Sequence, residues 1–488
     1  MSPANVVPKD MLSLSLESMA PPVLSLLSLV VVAHYLSPQE FGVATVALAI
    51  VQLFSVPVER AFHDELVQRT EIDSGHINTA FTMTLLLAVA MCAAAQLLGG
   101  AFEYYWQQPL LGNVLRWMSL SLLGTGVGSV LAALLRRRRQ FRALALCSLG
   151  GSVGSAAIAI AVVVQGGGVY ALVAQQISLV FLSTLTLWLL PHERPRLGLH
   201  PNAARALIGF GSLPRSRLAT NLLVPRIYIV LVGGLLGYAS AGVLGLAFRT
   251  VDSLRDFLVS ALARVPLPRN RPVKLTDAST SRPYSYGTRE RAIRLTTLAA
   301  FPIFAGIALS ADDIVPLAFG AHWSYAHAYL SAFALLAMPL FLRPLNDLML
   351  EASNEPYRHV AAMIELVAET AIVVLGMVLI GRHSLWLALL VWAARLFVSL
   401  PLDLWGVQRS TGVSYARQLK SVTTPAIATL GMAIVVLSAR TLFPAEWPRG
   451  LRLVITLAIE LTSYGVCVAL LDRALVREVA NLLRPRRT

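Results

Sequence analysis

The chain has 488 residues, of which 56% are hydrophobic and only 14% charged, and its formal net charge is +14. Soluble domains carry about 45–50% apolar and about 25% charged residues, so a water-soluble core is excluded, and many segments reach the ~20 apolar residues that cross a bilayer. Only three of the 40 basic residues are lysines (Lys9, Lys274, Lys420), and the positive charges cluster in short segments between apolar runs. That distribution suits an anionic membrane face and not nucleic acid.

In chain order, the apolar runs predict about fourteen transmembrane helices. They lie over 12–35, 41–58, 79–104, 115–135, 143–165, 169–191, 205–236, 238–265, 292–316, 325–350, 359–380, 384–404, 421–442 and 450–471. The first is too long for a signal-peptide core and reads as an uncleaved helix. Turn signals separate the runs, among them SPQEFG at 37–42, QGGG at 165–168 and FGAHWS at 319–324. The longest polar stretch is 266–290. Cys92, Cys147 and Cys467 lie inside apolar runs without CxxC spacing and read as small core residues.

Basic residues alternate between connections. Taking the N-terminus as cytoplasmic places 28 Lys and Arg in inner segments and five in outer loops, with seven arginines inside helices. Both termini are therefore expected in the cytoplasm. The RRRRQFR run at 136–142 reads as a topology determinant touching anionic lipid headgroups.

An internal repeat appears at an offset of 200. LSPQEFGVATVALAIVQLF (36–54) aligns with LGYASAGVLGLAFRTVDSL (236–254), with identities that include Gly42/Gly242, Val43/Val243, Ala47/Ala247 and Val51/Val251. The copies lie six helices apart and share one orientation. The expected fold is an all-α polytopic membrane protein with two pseudo-symmetric six-helix lobes, 1–200 and 201–410. Two further helices and a basic tail fill 411–488. Parallel repeats of this kind serve alternating-access transporters.

Charges within a bilayer are costly and usually face a cavity or a partner. The first lobe has few, chiefly Glu17. The second holds Arg215, Arg217, Arg226, Arg249, Asp252, Arg255, Asp256, Arg343, Asp347, Glu365, Glu369 and Arg395. Arg226 and Arg249 flank the outer turn at similar depth, about 15 Å by helical rise, and are expected to form one cationic patch. Arg249, Asp252 and Asp256 share a face of their helix. Pro214 and Pro225 break the hydrogen-bond ladder of the long run 205–236.

Bland readings stand beside these. Arg215 and Arg217 near an inner helix end fit snorkelling. Arg255 with Asp252 or Asp256, and Glu369 with Arg395, fit structural ion pairs. Asp312, Asp313, Asp403 and Asp472 near helix ends read as interfacial. The arginine surplus favours an anionic ligand such as a diphosphate. Arg226, Arg249, Arg255, Arg217, Arg215, Arg343 and Arg395 are the candidate substrate-binding residues. Glu17, Asp252, Glu365 and Glu369 are the candidate ion-coupling residues. There is no GxxxxGK[ST], HExxH or GxSxG motif, and no catalytic residue, metal or cofactor is expected.

Several segments resemble the polysaccharide exporter family, the Wzx-type flippases of the multidrug/oligosaccharidyl-lipid/polysaccharide exporter superfamily. They are LSPQEFGVATVALAIVQL (36–53), LVQR (66–69), HINTAF (76–81), LLRRRRQFRALA (134–145), GGGVYALVAQQ (166–176), 236–254 and FGAHWSYAHAYL (319–330). The likeness covers roughly 12–400. It implies transfer of an undecaprenyl-diphosphate-linked oligosaccharide from the inner to the outer leaflet of a bacterial inner membrane. It further implies alternating access, arginines that meet the diphosphate or acidic sugars, and proton or sodium countertransport. Expected partners are the lipid-linked oligosaccharide, membrane lipids and a polysaccharide polymerase complex. RAFHDELVQR (60–69) is more charged than the family pattern, and 266–290 is longer. Two other classes compete. A membrane-embedded polysaccharide polymerase or glycosyltransferase needs a large outer loop, whereas the longest here has about ten residues. An exporter of cationic small molecules would want surplus carboxylates in its cavity.

Overall fold

The computed structural model describes residues 8–69, 72–104, 108–190, 194–210, 218–262, 286–341, 343, 357–411, 414–444 and 446–472. Its main helices are α1 (Pro8–Tyr35), α2 (Pro38–Arg60), α3 (His63–Gln68), α4 (Ser74–Tyr104), α5 (Pro109–Ser119) and α6 (Ser121–Arg137). Then follow α7 (Phe141–Val164), α8 (Tyr170–Leu189), α9 (Pro201–Phe210), α10 (Leu218–Leu236), α11 (Tyr238–Leu262) and α12 (Tyr286–Phe319). The last are α13 (His327–Leu340), α14 (Tyr357–Leu379), α15 (Leu385–Ala394), α16 (Leu396–Thr411), α17 (Tyr415–Arg440) and α18 (Arg449–Leu471).

Helix lies over every run expected to span. Among the described residues ten segments are long and apolar enough to cross a membrane, and Ala20–Tyr35 and Asn221–Leu236 are shorter apolar helices. α11 falls outside that set because it carries Arg249, Asp252, Arg255 and Asp256. α13 is followed by residues that lie mostly outside the description. Within the long run 205–236 the described residues belong to α9 and α10, and Pro214, Arg215 and Arg217 lie outside the described residues. So do Asp347, nearly all of the 266–290 stretch and the tail from 473.

Packing divides the chain into two compact units. The first comprises Met1–Ser253 and Ala362–Arg395; the second comprises Leu254–Ala361 and Leu396–Thr488. The expected lobes follow the repeat, whereas these units follow contacts and group α10 and the start of α11 with the N-terminal helices.

In the first unit, SPQE is a helix start. Ser37 caps α2 with its side chain on the Glu40 N–H, Glu40 returns to the Ser37 N–H, and Pro38 occupies the first turn. This end of α2 meets the matching end of α11 reciprocally. A Cβ on Gly42 would stand 1.7 Å from the Tyr238 carbonyl oxygen, and one on Gly242 would stand 2.0 Å from that of Pro38. Both pairs obey the 200-residue offset of the repeat, so a local two-fold relation exists at this turn. Interhelical packing in a bilayer lacks a hydrophobic drive and relies on such close approach by small residues.

HINTAF has a comparable role at the other end of α4. Asn78 Oδ1 accepts from the Arg196 N–H at 2.8 Å, Thr79 Oγ1 from His200 at 3.1 Å, and Thr82 Oγ1 from Gly198 at 2.9 Å. The segment preceding α9 is thereby held along α4. Arg136 binds His63 Nε2 at 3.0 Å, and Arg137 donates to the carbonyls of Leu66 and Arg69. The arginine run is thus only partly a lipid-facing feature, because two of its members hold α3. Arg138, Arg139, Phe141 and Arg142 are exposed.

In the second unit, α17 and α18 are fastened along α12 by polar contacts. Arg440 reaches Asp312 at 2.7 Å and Asp313 at 2.8 Å, and Arg452 reaches Asp313 at 3.0 Å. Ser310 Oγ donates to Glu460 at 3.0 Å, Tyr464 donates to the Leu298 carbonyl at 2.8 Å, and Arg294 pairs with Asp472. Ala305, Met432 and Val436 form the apolar core between α12 and α17. Asp313 and Asp403, expected near helix ends, are both buried within the fold. Each is accompanied by an arginine.

Candidate functional site

α10 and α11 each direct an arginine at α2, at different levels. Arg226 Nε donates to Gln52 Oε1 at 3.0 Å. Glu59, about two turns further along α2 and exposed, has Arg226, Arg60 and Arg136 within electrostatic reach. The Arg249 guanidinium lies 6.0 Å from the centre of the Phe41 ring, near the limit of a cation–π contact. Gln52 and Phe41 are eleven residues apart, or about 16 Å along a helix. The two cations therefore occupy separate stations on α2 and not the single patch expected from their depth. The reason is that their helices run in opposite directions and side chains lean toward helix N-termini.

A cavity opens beside Arg249. It encloses about 540 Å³ including its mouth, and its polar wall comprises Ser25, Ser152, Ser155, Gln175, Gln176 and Arg249. The rest is mostly apolar, with Leu24, Leu48 and Met118 among its residues, and among the described residues no carboxylate lines it. Among the described residues no acid comes within ion-pair distance of Arg249. A guanidinium has five N–H donors and no acceptor, so this corner of the cavity presents donors and positive charge.

The remaining candidates are distributed. Arg395 Nη1 stands 3.5 Å from Glu369, and its guanidinium carbon is 3.4 Å from the Trp392 ring centre. Trp392 in turn stacks with Tyr228 at 4.8 Å and Phe248 at 4.7 Å. The anticipated Glu369–Arg395 pair is therefore present, within an aromatic cluster. Arg255 pairs with Asp256 at 3.5 Å, both well exposed. Arg343 pairs with Asp403 at 3.5 Å, both buried, which depth alone did not indicate. Glu365 is fully buried and Asp252 half-buried. Arg215, Arg217 and the Glu17 side chain lie outside the described residues.

Sequence reading missed the neutral polar wall. Its signal was present: serines within the apolar run of α7 and the Gln175–Gln176 pair within that of α8. Uncharged residues draw no attention when intramembrane charge is the criterion. Glu460, buried on α18, was also passed over.

Helices of this length and apolarity define a polytopic membrane protein. Its fold matches that of the lipid II flippase MurJ in an inward closed conformation, with a TM-score of 0.71 over 95% of this chain and 100% of that one at 14% identity. It also matches an inward-facing multidrug resistance MATE family transporter of the MOP superfamily, with a TM-score of 0.57 over 82% and 98% at 12% identity. Residues 31–328 match the family described as "Polysaccharide biosynthesis protein", and the chain belongs to that family. It is 25% identical over 463 residues to the succinoglycan biosynthesis transport protein ExoT of Rhizobium meliloti (strain 1021), covering 94% of this chain and 91% of that one. It is 23% identical over 305 residues to the lipopolysaccharide biosynthesis protein WzxC of Escherichia coli (strain K12), covering 62% and 61%.

Proposed function

We propose that this protein is a flippase that moves an undecaprenyl-diphosphate-linked oligosaccharide from the inner to the outer leaflet of the bacterial cytoplasmic membrane. It does so without chemistry on the substrate, by alternating access between its two repeats. The observation that carries the reading is Arg249, a cation placed among transmembrane helices beside a cavity in whose lining no carboxylate stands among the described residues. Burying such a charge is costly unless an anion meets it, and a diphosphate or an acidic sugar substituent is such an anion. Relatives named for transport in succinoglycan biosynthesis and for lipopolysaccharide biosynthesis support the saccharide part. A cavity for cationic drugs would be lined by the opposite charge. The uneven distribution of arginine supports the orientation with both termini in the cytoplasm.

Arg249 takes the anionic part of the substrate. Arg226, held by Gln52, positions the inner part of α2 against α10. Glu365 is the acid that would exchange protons if transport is proton-coupled, since it is fully buried on a spanning helix. The test is transfer of radiolabelled undecaprenyl-diphosphate oligosaccharide across proteoliposomes. Wild type transports and Arg249→Ala does not, at equal insertion and thermal stability. Undiminished transport by Arg249→Ala would overturn the reading. Glu365→Gln removes dependence on a proton gradient; retained dependence would clear Glu365 of that role.

A further inference from the structure

The polar lining of the cavity besides Arg249 is neutral among the described residues, which no requirement for an anion explains. Ser25 comes from α1, Ser152 and Ser155 from α7, and Gln175 and Gln176 from α8. Uncompensated polar groups are costly within a membrane, so the state of each matters. Ser152 Oγ donates to the Ser148 carbonyl at 2.8 Å and Ser155 Oγ to that of Ser152 at 3.1 Å. Their hydroxyl protons are spent on their own helix and their oxygens remain as acceptors. Gln175 Nε2 donates to Ser28 Oγ at 2.9 Å, which fixes its amide and leaves the carbonyl oxygen as an acceptor. Ser25, which is exposed, and the half-buried Gln176 can both donate and accept.

The wall therefore presents mainly acceptors, with two mixed groups, and Arg249 presents donors only. Leu24, Leu48 and Met118 add apolar surface between them. A pyranose has this pattern in complement: hydroxyls that donate and accept around its rim, and apolar C–H faces. A metal cation would need carboxylates, and an apolar drug would leave the amides unsatisfied.

We infer that this cavity is a saccharide subsite, in which Ser25, Ser152, Ser155, Gln175 and Gln176 take sugar hydroxyls while Arg249 takes an anionic group adjoining them. The inference deepens the flippase reading and rests on it for the identity of the ligand. It assigns recognition of the glycan, and not only of the carrier's diphosphate, to the first compact unit.

The experiment uses the full chain in lipid nanodiscs, with Cys92, Cys147 and Cys467 replaced by alanine. A single reporter, Ser25→Cys, is labelled with a fluorescent maleimide, and Ser152→Cys is a second reporter. The protectants are inorganic diphosphate and the oligosaccharide released by mild acid from the producing cell's own lipid-linked pool. The oligosaccharide slows labelling at least fivefold, and Gln176→Leu raises its half-protecting concentration at least tenfold. Diphosphate protection depends on Arg249 and is indifferent to Gln176→Leu. Labelling unchanged by the oligosaccharide at both reporters, protection by diphosphate alone, or protection indifferent to Gln176→Leu would each overturn the subsite. Transport of the intact lipid-linked substrate separates the two readings. A chain that transports while the free glycan fails to protect is a flippase without this subsite. A chain that is protected and does not transport has the subsite and is not that flippase.

Discussion

The two compact units deploy arginine differently. In the second, Arg294, Arg343, Arg440 and Arg452 each meet a carboxylate, from Asp472, Asp403, the Asp312–Asp313 pair and Asp313 respectively. In the first, Arg226 donates to a neutral amide and Arg249 faces an aromatic ring, and Arg395 of the mid-helix arginines takes a carboxylate at contact distance. A buried carboxylate commits a cation to structure, because separating the pair leaves an uncompensated charge. Arg249, whose printed contact is an aromatic ring, has no acid within ion-pair distance among the described residues. The difference is thus between arginines that fasten helices and arginines that can bind.

The largest expected effect tests the fastening set. Asp313→Ala strands Arg452 and leaves Arg440 to Asp312 alone, and is expected to cost about 3–5 kcal/mol, read as a fall in thermal unfolding temperature in detergent. Near-wild-type stability would make the pairs incidental and erase the contrast. Next comes the binding set: Arg249→Ala loses a charge-assisted interaction of about 1.5–3 kcal/mol, or about 10–100-fold in substrate affinity, with unfolding unchanged. Leu48→Glu, which puts a carboxylate into the same cavity, should reproduce that loss by turning Arg249 into a fastening residue. A variant that still transports would show that charge availability is not what matters.

Smaller effects follow. Arg226→Met removes the bond to Gln52, and interhelical hydrogen bonds in membranes average about 0.6 kcal/mol. A modest loss of stability with transport within about threefold is expected; a collapse of transport would move Arg226 into the binding set. The smallest concerns Asp73, which precedes α4. The His76 backbone N–H, at 2.7 Å, and then its ring hold the Asp73 carboxyl below the usual 3.8. A depressed value means its contribution is complete above the ordinary pKa and is lost as pH falls through the lowered one. Exchange of the His76 amide should accelerate only below about pH 4, and Asp73→Ala should abolish that pH dependence.

Much of the architecture was legible in advance, because a membrane helix satisfies its own backbone and each span must be apolar by itself. That is why helix lies over each expected run and why SPQE marks the start of α2. The Gly42/Gly242 match at the 200-residue offset likewise reappears as a reciprocal contact. Equal depth also sufficed to anticipate Glu369 beside Arg395. Depth failed for Arg226 and Arg249, because it carries no information on where a long side chain leans.

The apolar runs, the arginine distribution and the repeat were determined by the sequence alone, since each is a property of a short segment against the bilayer. Which arginine meets a carboxylate was decided only in three dimensions. Arg440 finds Asp313 at a separation of 127 residues, and Arg343 finds Asp403 on another helix. The cavity was decided there as well. Its serines and glutamines are individually tolerable within apolar helices and become a site only where α1, α7 and α8 turn them to a common space beside Arg249.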